Sequence, residues 1–414
     1  MPSNLRASPT CDGERPVASD HVVVGGGGAG GVVETVARAR GDEDRGQEQG
    51  GDAAASSAVG ASVEHVGQAT GGSRVGDVGF GDDPLTPPDQ DAGFVGAVMI
   101  FGTFIPQGWK MELVSIPDPQ DKWAATVHIA TEAERLGYDS VWVYDHFHNV
   151  PVPAHEAMFE CWTTLAAISQ RTERVRLGQM VSCAPYRNPG MIAKITSSID
   201  VISGGRLDWG IGAGWYDGEF TAYGYDFPSA ADRIRALRET VEIVKLMWSE
   251  PDATYEGRHH SVAGAQCDPK PLQSPHPPIW IGGGGEQLTL RVVARHATHS
   301  NWGGTPDVWA HKAEVLKGHC ESIGRDYDTI TKTWSPELFV RSTEAEIGTE
   351  SRSFWGEPFE TWSTNNLVGT PEQVAEKLEA YRKLGVGGVV PWIADFPSTE
   401  TLELFATEVM PNFR

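Results

Sequence analysis

The stretch Leu136–Val150, LGYDSVWVYDHFHNV, decides the reading of this chain. A helix is expected to end at Leu136-Gly137, and the short apolar run Ser140–Tyr144 follows. The run stops abruptly at Asp145-His146-Phe147-His148. Polar residues at the carboxyl end of a strand in a parallel barrel face the mouth where ligands bind. His146 is therefore the first candidate for chemistry, and the other stretches are weighed by whether they meet it there.

Outward from this stretch, apolar runs alternate with segments of helical spacing from Met99 to the end, the pattern of βα units. Strands are expected near 99–105, 139–144, 175–181, 206–211, 278–282, 298–302, 331–340 and 388–392. Helices are expected near 121–136, 156–170, 189–202, 230–248, 286–296, 306–323, 371–384 and 399–409. Eight strands alternating with helices favour a closed (β/α)8 TIM barrel over an open doubly wound sheet. Two irregular segments, 250–276 and 342–368, interrupt the pattern. They carry His259, His260, Phe354, Trp355, Phe359 and Trp362, and are expected to cover the carboxyl-end mouth and set substrate choice.

Residues 1–98 differ in composition. They hold about 20 of the 48 glycines and no lysine, too little apolar surface to offset the entropy of ordering. A disordered low-complexity tail over 1–98, or an over-extended translation start, is expected to precede a catalytic domain over 99–414. Within it, Gly25–Gly31 after Val22-Val23-Val24 matches a dinucleotide fingerprint. No second strand follows at the required spacing, so the match is read as glycine-rich low complexity.

The formal charge of −23 argues against nucleic acid or an anionic membrane surface as a partner. No apolar run reaches the length of a membrane span, and no signal peptide is evident. The five cysteines, Cys11, Cys161, Cys183, Cys267 and Cys320, form no CxxC pair, which points to neither zinc nor a disulfide framework and favours a reducing cytoplasm. A small-molecule substrate is the expected partner, and a homodimer is compatible with the sequence.

Four stretches in order carry a family resemblance. They are Asp139–Trp142 with Asp145-His146-Phe147; Arg174–Gly178 through Pro185–Pro189; Gly204–Leu207 through Gly210–Trp215; and Pro278–Gly284. Together they resemble the luciferase-like monooxygenase superfamily, and within it the oxidoreductases that use the deazaflavin coenzyme F420. The resemblance covers 99–410 and none of the tail. It implies a redox ring across the barrel mouth and hydride transfer at that ring, with the protein supplying binding and orientation.

The resemblance places the family's strand-2 histidine at His146, where an imidazole suits proton transfer near neutrality. Asp145 would orient the ring or the imidazole. A bulge with a cis peptide would fall at Met180–Val181 and back the ring. Gly212-Ala213-Gly214 would let a flat ring approach the backbone. The N–H groups of Gly282-Gly283-Gly284 at a helix start would hold a phosphate. Gln107, Trp215 and Glu219 are candidates for substrate contact. Trp215 stands where several deazaflavin relatives carry a catalytic glutamate, and Val150 where some carry a tryptophan. Both departures weaken the sugar-phosphate dehydrogenase version of the mechanism and suggest a less polar substrate.

Two alternatives accompany the F420 reading. An FMN-dependent monooxygenase of the same superfamily would use the same ring and phosphate positions. A metal-dependent amidohydrolase would use His146, His148, His299 and Asp395 around zinc. No metal is expected on the preferred reading.

Overall fold

In the computed structural model, which describes residues 98–414, eight parallel strands close into a barrel. They are β1 (Ile100–Phe104), β2 (Ser140–Val143), β3 (Arg176–Gln179), β4 (Leu207–Gly212), β5 (Ile279–Gly282), β6 (His299–Asn301), β7 (Thr331–Trp334) and β8 (Gly388–Val389). Each pairs with the next in sequence, and β8 closes onto β1 through Ile100 opposite Gly388. The expected tail over 1–98, with its glycine run, lies outside the described residues but for Val98. Among the described residues no helix is long and apolar enough to cross a membrane.

The barrel closes around tryptophans. Trp142 of β2 points inward between Gly102 and Gly178, where a Cβ would come within 2.6 and 2.3 Å of the indole. It meets Trp280 of β5 edge-on (4.5 Å, 60°), and Trp280 stacks flat on His299 of β6 (4.2 Å, 4°). Burial, with Arg176 nearby, lowers the His299 imidazole to about 3, so it is a neutral packing ring at neutral pH. The alternate residues Val141, Val143, Ile279 and Ile281 are buried as well, as expected of parallel strands covered on their outer face by helices.

The helices follow their sequence signals. Helix α1 (Pro119–Leu136) starts at Asp118, whose carboxylate caps two backbone N–H groups, and stops at Gly137 with φ 86°. Around the barrel follow α2 (Cys161–Ser169), α3 (Pro189–Ile202), α4 (Ala230–Ser249), α5 (Thr289–His296), α6 (Pro306–Ser322) and α7 (Pro371–Lys383). Thr370 and Gln373 form a capping box at the start of α7. Such caps contribute about 1 kcal/mol each.

The departures have local causes. The seventh strand, expected unbroken over 331–340, leaves the barrel at Ser335-Pro336. Glu337–Val340 then joins a second parallel sheet with Leu367–Gly369 and Trp392–Ile393. The eighth breaks likewise at Pro391. Proline has no N–H for a ladder, so each strand changes partners there. The segment expected to be irregular over 250–276 contains an antiparallel hairpin, Ala253–Glu256 with Ser261–Ala265. The second helix begins at Cys161, capped by the Glu160 carboxylate, five residues later than the apolar spacing suggested. The last helix is α-helical only over Glu400–Leu404 and widens to a π-turn over Phe405–Val409.

Candidate functional site

At the carboxyl end of β2 the backbone delivers Tyr144, Asp145 and His146 in succession to the barrel mouth. The indole of Trp109, from the β1–α1 loop, lies flat on the His146 ring (4.3 Å, 7°). Nδ1 of His146 is 2.7 Å from a carboxylate oxygen of Glu219. Glu219 sits on a short helix, Asp217–Ala222, that the sequence reading did not include. It is fully buried and also accepts from the Phe147 N–H (2.8 Å), the His148 N–H (3.3 Å) and the Tyr186 hydroxyl (2.9 Å).

Burial alone pushes the Glu219 carboxyl up. The His146, Phe147 and Tyr186 hydrogen bonds outweigh it and hold the group below its ordinary value. An ionised carboxylate only accepts, so Nδ1 of His146 carries the hydrogen. Nε2 is left as the nitrogen that serves the cavity, and the imidazole is fixed in tautomer and in plane.

Asp145 is turned to the framework behind this ring. Its carboxylate accepts from the Cys183 N–H (2.8 Å), from both terminal nitrogens of Arg187 (2.6 and 3.0 Å) and from the Cys161 thiol (3.2 Å). Arg187 also meets Glu160 at 3.0 Å. Burial lowers the Arg187 guanidinium, but its pairing with Asp145 outweighs that and raises it. The buried pair ties the end of β2 to the chain after β3.

Between those two points the Met180–Val181 peptide is cis, at the bond where the resemblance placed it. The Val181 side chain is clamped between two glycines. A Cβ on Gly212 would come 2.6 Å from its Cγ2, and one on Gly282 would come 2.8 Å from its Cγ1. These glycines therefore make room for the bulge itself, and leave a flat floor of backbone and valine.

Above this floor lies a cavity of about 390 Å³. Trp109, Tyr144, Asp145, His146, Met180, Val181, Gly212, Ala213, Gly214, Trp215, Gly282 and Gly283 line it, so most of the expected site residues come together. Three do not reach its wall. Gln107 is buried with its amide spent on Tyr144 and Phe159 backbone groups. Gly284 faces outward, its carbonyl accepting from Lys312 (2.7 Å). Glu219 stands behind His146. Trp215 is 55% exposed and forms the rim with Tyr216 and Trp355.

At the opposite end the cavity is lined by Gly283, Thr289, Asn301 and Arg233. Arg233 is 8% exposed, with its guanidinium 3.9 Å from the Phe227 ring, and its Nε has no hydrogen-bond partner. An orphaned buried donor beside a glycine turn fits an anionic group such as a phosphate. A flat ring over the valine-and-glycine floor, with its phosphate toward Arg233, matches this donor set. Arg233 and Trp109 were not legible as site residues. Arg233 is one of three arginines in α4 and nothing in the spacing singles it out, and Trp109 lies in a loop without period.

Of the two segments expected to cover the mouth, only 342–368 contributes rings there. Phe354 is 6.1 Å from Trp109 and Trp355 is 6.5 Å from Trp215. Phe359 and Trp362 pack instead in a satellite core with Phe339 and Val368. His259 and His260 lie on the hairpin turn against α4, outside the mouth cavity. Among the described residues, the one group placed to share a metal ion is Asp145, Glu160 and Cys161. His146, His148, His299 and Asp395 are not gathered, and Asp395 is paired with Arg341 (2.9 Å), so the zinc arrangement of the amidohydrolase alternative is not formed.

Comparison with known proteins bears on the same region. A curated relative, the F420-dependent glucose-6-phosphate dehydrogenase of Microbacterium testaceum, is 28% identical over 312 residues, 68% of this chain and 91% of its own. The FMNH(2)-dependent dimethylsulfone monooxygenase of Pseudomonas putida is 26% identical over 298 residues, 63% of this chain and 79% of its own. A solved F420-dependent secondary alcohol dehydrogenase with an F420-acetone adduct superposes with a TM-score of 0.65 at 20% identity, covering 77% of this chain and 99% of that one. The family model for luciferase-like monooxygenases matches residues 99–363, and this chain belongs to that family.

Proposed function

We propose that this protein is an F420-dependent oxidoreductase that transfers a hydride between the deazaflavin and a small organic substrate with an apolar body. The observation that carries the proposal is His146, locked between the Glu219 carboxylate and the Trp109 face at the wall of a cavity floored by Val181. The bound ring would supply the hydride chemistry. The chain supplies position, electrostatics and a proton.

His146 Nε2 gives or takes a proton at the substrate oxygen or the ring edge, and Glu219 stabilises the imidazolium when it forms. Asp145 acts through Arg187 and Cys183 to hold the end of β2 against the floor. Met180, Val181 and Gly212-Ala213-Gly214 form the bed for the ring. Thr289 and Arg233 bind the phosphate beside the Gly282-Gly283 turn, whose Gly283 N–H is spent on the Asn301 carbonyl (2.9 Å), while Gly284 faces away. Gln107 braces the Tyr144 backbone from behind. Trp215, Tyr216 and Trp355 present aromatic surface to the substrate, which supports an apolar ligand over a sugar phosphate.

Support for F420 over FMN comes from the Microbacterium relative, which is 28% identical, against 26% for the FMNH(2)-dependent one. The test is a spectroscopic titration with F420 and with FMN, each oxidised and reduced. Saturable F420 binding at least about tenfold tighter than FMN supports the proposal. Tight FMN binding without F420 affinity overturns it and assigns the mouth to an FMN-dependent monooxygenase.

A further inference from the structure

The ammonium of Lys110 lies in a cage of aromatic rings. Its Nζ is 4.3 Å from the Trp392 ring centroid, 5.1 Å from Phe354, 5.7 Å from Trp109 and 5.8 Å from Tyr144. The rings come from separate parts of the chain: the strand after Pro391, the segment 342–368, the β1–α1 loop and the end of β2. Trp109 and Tyr144 also line the mouth cavity, and Trp109 carries the His146 stack. Phe354 adjoins Trp355 of the rim (4.7 Å).

Little else holds this cation. Its carboxylate partner, Oε1 of Glu337, is 3.7 Å away, too far for a hydrogen bond, although the side chain is only 9% exposed. The other oxygen of Glu337 accepts from Trp362 Nε1 (2.6 Å), which also belongs to segment 342–368. Glu112 is spent on the backbone N–H groups of Gln107 (2.8 Å), Gly108 (2.9 Å) and Lys110 itself (2.8 Å). Burial lowers the Lys110 ammonium to about 8 against the pull of Glu337 and Glu112, and burial keeps the Tyr144 phenol neutral. The charged groups behind the other rings are engaged elsewhere. Arg352 lies over Phe339 (4.7 Å), Glu357 accepts from Ser353 (3.3 Å) and Asp395 pairs with Arg341 (2.9 Å). His146 meets the cluster through its stack on Trp109.

A methionine of similar length would fill this space without taking a charge out of water. What the charge adds is attraction for several ring faces at once, and that attraction is strongest in a desolvated site. We propose that Lys110 is a positioning residue for the mouth rim: its ammonium holds Phe354, and with it Trp355, against the Trp109 wall, and loss of its proton releases that segment. The rim is held at neutral pH and loosens as pH rises. The proposal concerns this chain alone and stands or falls independently of which cofactor fills the mouth.

The test is hydrogen exchange of the ligand-free full chain, followed by mass spectrometry from about pH 6 to about pH 10 and corrected for intrinsic exchange. Peptides covering Phe354 and Trp355 should lose about tenfold in protection with a midpoint near 8, while peptides of α3 keep theirs. Lys110→Met should show the low protection at every pH, with a Tm no lower than that of the wild type, a split that a packing role does not produce. Lys110→Arg, charged throughout and able to stack on the same rings, should stay protected over the whole range. Wild-type protection independent of pH, a Lys110→Met protein as protected as the wild type, or a loss shared by α3 overturns the proposal. If Lys110→Met fails to fold, the wild-type profile and Lys110→Arg decide.

Discussion

The imidazole of His146 has its freedom removed by two neighbours, the Glu219 carboxylate at 2.7 Å and the Trp109 face at 4.3 Å. General acid–base groups contribute about 10² to 10⁴ in rate, so His146→Ala should cost about that in kcat while leaving cofactor affinity within a few fold. Glu219→Gln keeps the shape but not the charge, and should lower kcat about tenfold to a hundredfold and displace the pH profile. A Glu219→Gln enzyme with unchanged kcat and pH profile would reduce this carboxylate to packing. Glu219 also sets a stability window. Its folded carboxyl lies below the ordinary 4.5, so the unfolded chain binds more protons there. Its stabilisation is fully present above pH 4.5 and is lost as pH falls through the folded value. The Tm difference between wild type and Glu219→Gln should therefore shrink as pH drops below about 4.5. At this scale His146 was legible, because a histidine closing an apolar strand is a local pattern. The pairing of Glu219 with His146 was not: Glu219 was read as a candidate for substrate contact, and its approach to His146 depends on a short helix 73 residues away.

Among the elements, the end of β3 is the most tightly specified. Val181 fills the space between the ends of β4 and β5 that Gly212 and Gly282 leave open. Gly212→Ala should cost about 1–3 kcal/mol by overpacking a stiff β-branched side chain, seen as a lower Tm and weaker cofactor binding. Adding Val181→Ala should recover part of both, and no recovery would place the strain elsewhere. The segment bearing Phe354 and Trp355 makes a different prediction. Phe354 is anchored 5.1 Å from the Lys110 ammonium and 6.1 Å from Trp109, whereas Trp355 is 55% exposed. Trp355→Ala should leave Tm nearly unchanged and raise the substrate KM up to about tenfold, with cofactor affinity intact. An unaltered KM would remove this segment from substrate recognition. Elements with strong period, such as α3 and α6, were legible nearly to the residue. The breaks at Pro336 and Pro391 were misjudged because strand-compatible residues continue on both sides of each proline, and only the tertiary partners change there.

Taken whole, the molecule is a closed barrel whose aromatic interior supports a mouth assembled from strand ends distant in sequence. Eightfold alternation made closure legible, since each βα unit is a local signal repeated. The Asp145–Arg187 pair, the orphaned Arg233 and an arginine-lined pocket arise only when separate units meet, and no window of sequence contains them. Arg233 lies inside the mouth, and five arginines line a separate pocket beside it. The most direct test of the account is a crystal structure with F420 bound. The account predicts the deazaflavin ring lying over Met180–Val181, its reacting edge within about 3 Å of His146 Nε2 and its phosphate at Gly283 and Arg233. A ring bound away from this floor, or with His146 turned from it, would contradict the account.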